Sequence, residues 1–176
     1  ASKLLGRPLP ERIAGIDLAA ALLSRLAHGG GGVFLLGARP GVAERAARNL
    51  AAQYPGLRIV GTRHGYFSES ESQAVIAEIR QSGADLLLVA LGVPKQELWI
   101  ARNRRDLNVK VAIGVGGAFD VFSGRTRRAP RFLQRLGLEW AYRLLQEPAR
   151  VKRLGALPRY SLCVIREALV RGRHHE

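Results

Sequence analysis

Four short apolar runs set the terms for this chain: VFLLG (Val33–Gly37), LRIVG (Leu57–Gly61), DLLLVALG (Asp85–Gly92) and VKVAIGVG (Val109–Gly116). They are continuous rather than alternating. A strand built from such a run is apolar on both faces, so both faces need a cover. The segments between them have helical spacing. GVAERAARNLAAQY places Val42, Ala46 and Leu50 on one side, and SESQAVIAEIRQSG does the same with Val75, Ile76 and Ile79 behind a capping Ser70. A third helix, from about Pro94 to Asp106, separates the last two runs. Ahead of the first strand, GIDLAAALLSRLAHGG reads as a helix capped by Asp17 and stopped by Gly29.

Strand-helix-strand repetition of this kind predicts an α/β fold: a Rossmann-like parallel sheet flanked by helices. After the fourth strand the pattern is helical only. PRFLQRLGLEWAYRLLQEP spaces Phe132, Leu136, Trp140 and Leu144 four apart, as one apolar stripe, and Pro148 suits the first turn of a new helix. A final helix follows Pro158, from about Arg159 to Arg171. The expected organisation is therefore an α/β core over 1–130 and an all-helical C-terminal appendage over 131–176. No repeat or low-complexity linker interrupts it.

The charge is one-sided. The chain of 176 residues carries a net +14, and from Arg125 onward 13 basic residues face only 4 acidic ones. Such an excess calls for a polyanionic partner: nucleic acid, an anionic membrane surface or a phosphorylated ligand. Nucleic acid is disfavoured, because aromatics are only 6% of the chain and none is set in a basic strand platform. The last helix places Leu162, Ile165 and Leu169 on one side, with Arg159, Arg166, Glu167 and Arg173 largely elsewhere. That pattern suits a membrane interface, or packing on the core or on a second subunit. No apolar run approaches the ~20 residues that span a bilayer.

The lone Cys163 excludes an internal disulfide framework; between Leu162 and Val164 it reads as a buried or lipid-facing structural thiol. His28, His64, His174 and His175 have no ligand partners at metal-site spacing, and no DxD carboxylate pair is present for a nucleotide-bound divalent ion. No metal and no cofactor are expected. Serine or cysteine triads are not evident either.

In open α/β sheets ligands bind beyond the carboxyl ends of the strands, where four loops qualify: GARPGV, GTRHGYF, GVPKQE and GVGGAFD. The first lacks GxGxxG spacing, so a nicotinamide-type fingerprint is not supported. In GVPKQE, Pro94 starts a helix and leaves the amides of Lys95, Gln96 and Glu97 facing the crevice, where the helix dipole favours an anion. Lys95 adds charge, and Gln96 a neutral donor and acceptor; plain helix capping accounts for the turn equally well. In GVGGAFD, Gly114, Gly116 and Gly117 let backbone approach a ligand or turn sharply out of the sheet. Asp120 is then a ligand or catalytic carboxylate, or one that caps the next turn or pairs with Arg125.

Together, LPERIAGIDL, LGVPKQELWI, GVGGAFDVFSGRTRRAP and LGLEWAYRLLQEPARVKR resemble the WecG/TagA/CpsF family of bacterial glycosyltransferases, glycosyltransferase family 26, in order from about Leu9 to Arg153. The resemblance implies an inverting, metal-independent transferase. It would move N-acetylmannosamine, its uronate or glucose from a UDP donor to a polyprenyl-diphosphate-linked acceptor, for teichoic acid, common antigen or exopolysaccharide. Such an enzyme would work in the cytoplasm, peripherally on the inner face of the bacterial plasma membrane; a homo-oligomer is left open.

Carried over by position, Gln96 matches the family's active-site glutamine and Arg12 a pocket arginine. Arg143, Arg150 and Arg153 match arginines of an appendage that closes over the active site and touches the membrane. Guanidinium forks suit a departing diphosphate where no metal neutralises it. The family's opening strand-helix segment, with its Thr-Pro-Asn motif and general-base aspartate, has no counterpart ahead of LPER, and the chain contains no methionine. Neither Asp17 nor Asp120 matches that aspartate. The expectation is a truncated chain that binds nucleotide with impaired catalysis. The competing readings are an inactive nucleotide-binding fragment and a basic nucleic-acid-binding module.

Overall fold

The structure, a computed structural model, describes residues 13–136, 138–146, 163–164 and 166–167, with residues 131, 135 and 143 described in their backbone only. In chain order the elements are α1 (Gly15–Gly29), β1 (Gly32–Gly37), α2 (Val42–Gln53), β2 (Arg58–Arg63), α3 (Ser72–Ser82) and β3 (Leu86–Ala90), then α4 (Lys95–Asn103), β4 (Val111–Gly114), α5 (Ala118–Phe122), α6 (Arg131–Arg135) and α7 (Glu139–Gln146). Among the described residues the four strands form one parallel sheet in the order β2-β1-β3-β4. The Rossmann-like expectation holds.

The two-sided strands sort their side chains by parity. Val33 and Leu35 of β1 join Leu86, Leu88 and Ala90 of β3 on one face, covered by α1, α2 and α5. Phe34, Leu36, Leu87 and Val89 point the other way, onto α3 and α4. The core of both layers is close to fully buried: Leu35, Leu36, Leu87 and Leu88 are all at 0% exposure. Truncating any one of them to alanine costs about 2–5 kcal/mol.

This division of helices explains the strand order. The chain leaves β1 through α2 to reach β2, then returns through α3 on the opposite face to place β3 on the other side of β1. Right-handed crossovers require that change of face when the direction of travel reverses. The reversal puts a switch point between the carboxyl ends of β1 and β3.

At the amino edge one carboxylate ties three strands together. Asp85 accepts the Gly32 amide at 2.8 Å and the Lys110 ammonium at 2.7 Å. Its own amide donates to Gly32 O at 2.8 Å and its carbonyl accepts from Val111 N at 3.0 Å. The Lys110 bond, then the Gly32 amide, hold the Asp85 carboxyl below its ordinary value, and Lys110 is raised in return.

Several local expectations are corrected. Asp17 lies inside the first turn of α1, whose N-cap is Ala14, and the stop is Gly30, left-handed at φ 72° with its amide on Leu26 O. Ser70 does not cap α3, which starts at Ser72; Ser70 Oγ instead meets Ser68 Oγ at 2.8 Å. β4 covers only Val111–Gly114 of the apolar run; Val115 N still reaches Val89 O at 2.8 Å, and the chain turns after it, with Ala118 N on Val115 O at 3.1 Å.

By contacts, residues 13–127 form one compact unit and the described residues from 128 onward belong to a second. In that second unit the stripe expected over Phe132, Leu136, Trp140 and Leu144 is not one helix face. The chain breaks between α6 and α7, and Phe132, Leu136 and Trp140 are each more than half exposed. Gln134 Nε2 donates to Ala129 O at 2.6 Å, and Arg128 faces the buried Glu139 at 3.8 Å. Cys163 is exposed, which sets aside the buried alternative and not the lipid-facing one. The Pro148 turn and most of the final helix lie outside the described residues.

Candidate active site

The carboxyl edge of the sheet is where the four loops gather, and they are stitched at the switch point. Gly37, with φ 129°, passes so close to β3 that a Cβ there would lie 2.5 Å from the carbonyl carbon and oxygen of Ala90. Ala38 N donates to Ala90 O at 2.9 Å, and Ala38 O accepts from Gly65 N at 2.9 Å. The loop after β2 is thereby drawn over the end of β1 toward β3. Leu91 packs where a side chain at residue 65 would be, 2.8 Å from that Cβ position.

That loop is held in shape by its own polar groups. Glu71 Oε2 accepts from Ser68 N at 2.7 Å and from Ser68 Oγ at 2.8 Å. These bonds, the backbone one foremost, keep the Glu71 carboxyl below the usual carboxylate range. The loop presents two aromatic rings. Tyr66 is 65% exposed. Phe67 turns inward and meets Trp99 of α4 edge-on, with centroids 6.2 Å apart, while Trp99 Nε1 donates to the buried Ser72 Oγ at 2.9 Å. Lys95 Nζ sits 5.6 Å from the centroid of the same Phe67 ring, a cation–π distance.

Gln96 is placed differently from the sequence expectation. It is 3% exposed, a buried group under the loops rather than an open one. Its Oε1 accepts from Gly116 N at 3.0 Å, and its Nε2 donates to Glu97 Oε1 at 2.8 Å. The side chain lies on the backbone of Gly114, where a Cβ would come within 2.5 Å of Nε2 and 2.9 Å of Cδ. Gln96 therefore fastens the start of α4 to the glycine turn after β4. Its backbone amide is not one of the free donors expected at the helix start, since it bonds Gly92 O at 2.8 Å.

The glycine turn itself is open. Gly116 has φ 52° with nothing within 4 Å of a Cβ position, and Gly117 is the N-cap of α5. Asp120 falls in the first turn of α5, partly buried, with its carbonyl accepting from Thr126 N at 3.0 Å and Ser123 Oγ at 3.1 Å. The structure thus brings Gln96 of α4 onto the turn that holds Gly114 and Gly116; Lys95 precedes Gln96 in α4 and meets Phe67, while Gly117 and Asp120 follow Gly116 into α5. Arg12, Arg150 and Arg153 lie outside the described residues, and of Arg143 only the α7 backbone is described. Among the described residues no group of three or more His, Cys, Asp or Glu could hold a metal ion.

Four groups at this edge went unassigned in the sequence: Phe67, Ser72, Glu97 and Trp99. GTRHGYF and PKQE were visible as loops, but what joins them is the Phe67–Trp99–Ser72 contact, which bridges segments 27 residues apart.

The model of the glycosyl transferase WecG/TagA/CpsF family matches residues 1–174. The chain is also 40% identical, over 174 residues, to an N-acetylglucosaminyldiphosphoundecaprenol N-acetyl-beta-D-mannosaminyltransferase of Bacillus spizizenii (strain ATCC 23059 / NRRL B-14472 / W23). The match covers 99% of this chain and 67% of that protein. The chain belongs to the WecG/TagA/CpsF family and is a glycosyltransferase.

Proposed function

We propose that this member of the WecG/TagA/CpsF family transfers a hexose from a UDP donor to a polyprenyl-diphosphate-linked acceptor in bacterial cell-surface polysaccharide synthesis. N-acetylmannosamine is the sugar assigned first, with its uronate or glucose as alternatives. The observation that carries this reading is the 40% identity, over nearly the whole chain, to a transferase named for that sugar and for a diphosphoundecaprenol-linked acceptor.

Transfer with inversion is a single displacement. An acceptor hydroxyl oxygen bonds the anomeric carbon as the bond from that carbon to the UDP oxygen breaks; UDP leaves with the electron pair, and a base takes the hydroxyl proton. Negative charge grows on the leaving diphosphate, and fixed cations and backbone N–H groups aimed at it lower the barrier. Lys95 is one cation at the carboxyl edge. By family likeness Arg12, Arg143, Arg150 and Arg153 supply further positive charge in place of a metal. Gly116 and Gly117 offer backbone without side chains, Gln96 holds that turn, and Asp120 is a carboxylate able to accept from a donor hydroxyl.

A lipid-linked acceptor places the reaction at a membrane surface. No helix of the described residues is long and apolar enough to cross one. A net charge of +14 favours a peripheral approach to an anionic leaflet, where each basic residue near the surface adds about 1 kcal/mol.

The test is an assay with UDP-N-acetylmannosamine and an N-acetylglucosaminyl-diphosphoprenyl acceptor, run with and without EDTA. Disaccharide-lipid and free UDP are expected in both. No UDP release together with no binding of UDP or of any of the three donors overturns the reading; binding without release marks impaired catalysis, and loss of activity in EDTA overturns metal independence alone.

A further inference from the structure

We propose that Glu97 is a positioning residue for the transfer: its carboxylate sets which way round the buried Gln96 amide lies, and so holds the Gly116 turn in the shape that receives the donor. The inference rests on the reading of Gln96 as a site residue.

A primary amide has a donor end and an acceptor end of nearly equal size, so packing alone does not orient it. Gln96 is packed hard, at 3% exposure and against Gly114. Its direction is decided by two partners of opposite kind. The Gly116 N–H can only donate, and it meets Oε1 at 3.0 Å. An ionised Glu97 carboxylate can only accept, and it meets Nε2 at 2.8 Å. Turning the amide over would set donor against donor at Gly116 and acceptor against acceptor at Glu97. Each mismatch leaves a buried polar group unpaired, so the two partners together lock one orientation.

The charge of Glu97 points the same way. A carboxylate beside a site built for a diphosphate repels the ligand, and on binding alone it is a liability. Lys95, next to it in the chain, is directed at the Phe67 ring rather than at Glu97. Orienting Gln96 gives the negative side chain a use that outweighs the repulsion.

The variants Glu97→Ala, Glu97→Gln and Gln96→Ala distinguish the roles, read by steady-state kinetics with the UDP-sugar donor and by hydrogen exchange of the Gly116 amide in ligand-free protein. Glu97 is exposed at the helix surface, and far-UV circular dichroism confirms that each variant is folded. Glu97→Ala is expected to lower kcat/KM and to speed Gly116 exchange, each by about tenfold, the worth of one net hydrogen bond. Glu97→Gln keeps an acceptor but can also turn its NH2 toward Gln96, and is expected to fall between the wild type and Glu97→Ala in both. Unchanged Gly116 exchange in Glu97→Ala overturns the proposal, as does a Glu97→Gln variant that falls as far as Glu97→Ala. If Gln96→Ala keeps full activity, the reading of Gln96 as a site residue fails instead, and the exchange data still decide the orientation.

Discussion

Replacing Gly114 with alanine puts a methyl group where the Gln96 amide now rests, 2.5 Å from Nε2 and 2.9 Å from Cδ. The backbone at 114 is not in the left-handed region, so alanine itself is tolerated there and stiffens the unfolded chain, a gain of about 0.5–1 kcal/mol. Against this, the amide must withdraw and give up both Gly116 N and Glu97 Oε1. One net hydrogen bond and one buried group left unpaired cost about 2–3 kcal/mol together. The expected net loss for Gly114→Ala is about 2 kcal/mol. Gln96→Ala forfeits the same two bonds and should cost a similar amount. The double variant is the informative one: with the side chain gone the new methyl meets no obstacle and keeps its own gain, so the cost should be about 1–1.5 kcal/mol instead of doubling. Urea unfolding of all four proteins at constant m-value, followed by far-UV circular dichroism, measures the cycle. Additivity within about 0.5 kcal/mol would mean that Gly114 and Gln96 do not share that space, and the clamp would be refuted.

Two further outcomes are expected. Asp85, depressed below its ordinary 3.8, contributes stability that is complete above that pH and drains as pH falls through its lower folded value; Lys110, raised above 10.5, contributes stability that is complete below that pH and is lost as pH rises through its higher folded value. Asp85→Asn should therefore melt lower at neutral pH and show a flatter acid limb, and melting curves that run parallel to the wild type down to about pH 2 would exclude the linkage. Gly37→Ala forces a side chain into φ 129° and into the Ala90 carbonyl, at a cost of about 3 kcal/mol or more, and a loss under about 1 kcal/mol in urea unfolding would show that the β1–β3 contact is looser than described.

The architecture was legible because its signal is long and redundant. Apolar runs such as Leu86–Ala90, with a side chain buried at every position, have few alternatives to a covered parallel strand. The ends of elements were less legible. Asp17 and Ser70 have the chemistry of caps, yet Ala14 and Glu71 hold those positions, because the direction of the incoming chain decides which residue is the last non-helical one. The stripe from Phe132 to Leu144 failed for a related reason: spacing by four assumes an unbroken helix, and the break between α6 and α7 cancels the phase.

At the candidate site the sequence could single out residues but not their neighbourhood. Gln96 stood out in GVPKQE, but its burial follows from Gly114 at the end of β4 and Gly116 in the turn after it, and no local pattern reveals that pairing. Glycines read as room for a ligand also make room for a side chain of the protein itself.

Strand β3 carries a different duty at each end. Asp85, just ahead of it, joins it to both neighbours, while Ala90, at the other end, leads into the turn before α4, which opens with Lys95 and Gln96. Five residues of extended chain set these duties roughly 17 Å apart. Substitutions at the carboxyl rim need not weaken the join that keeps the strands in line, so that rim can change on an unchanged scaffold.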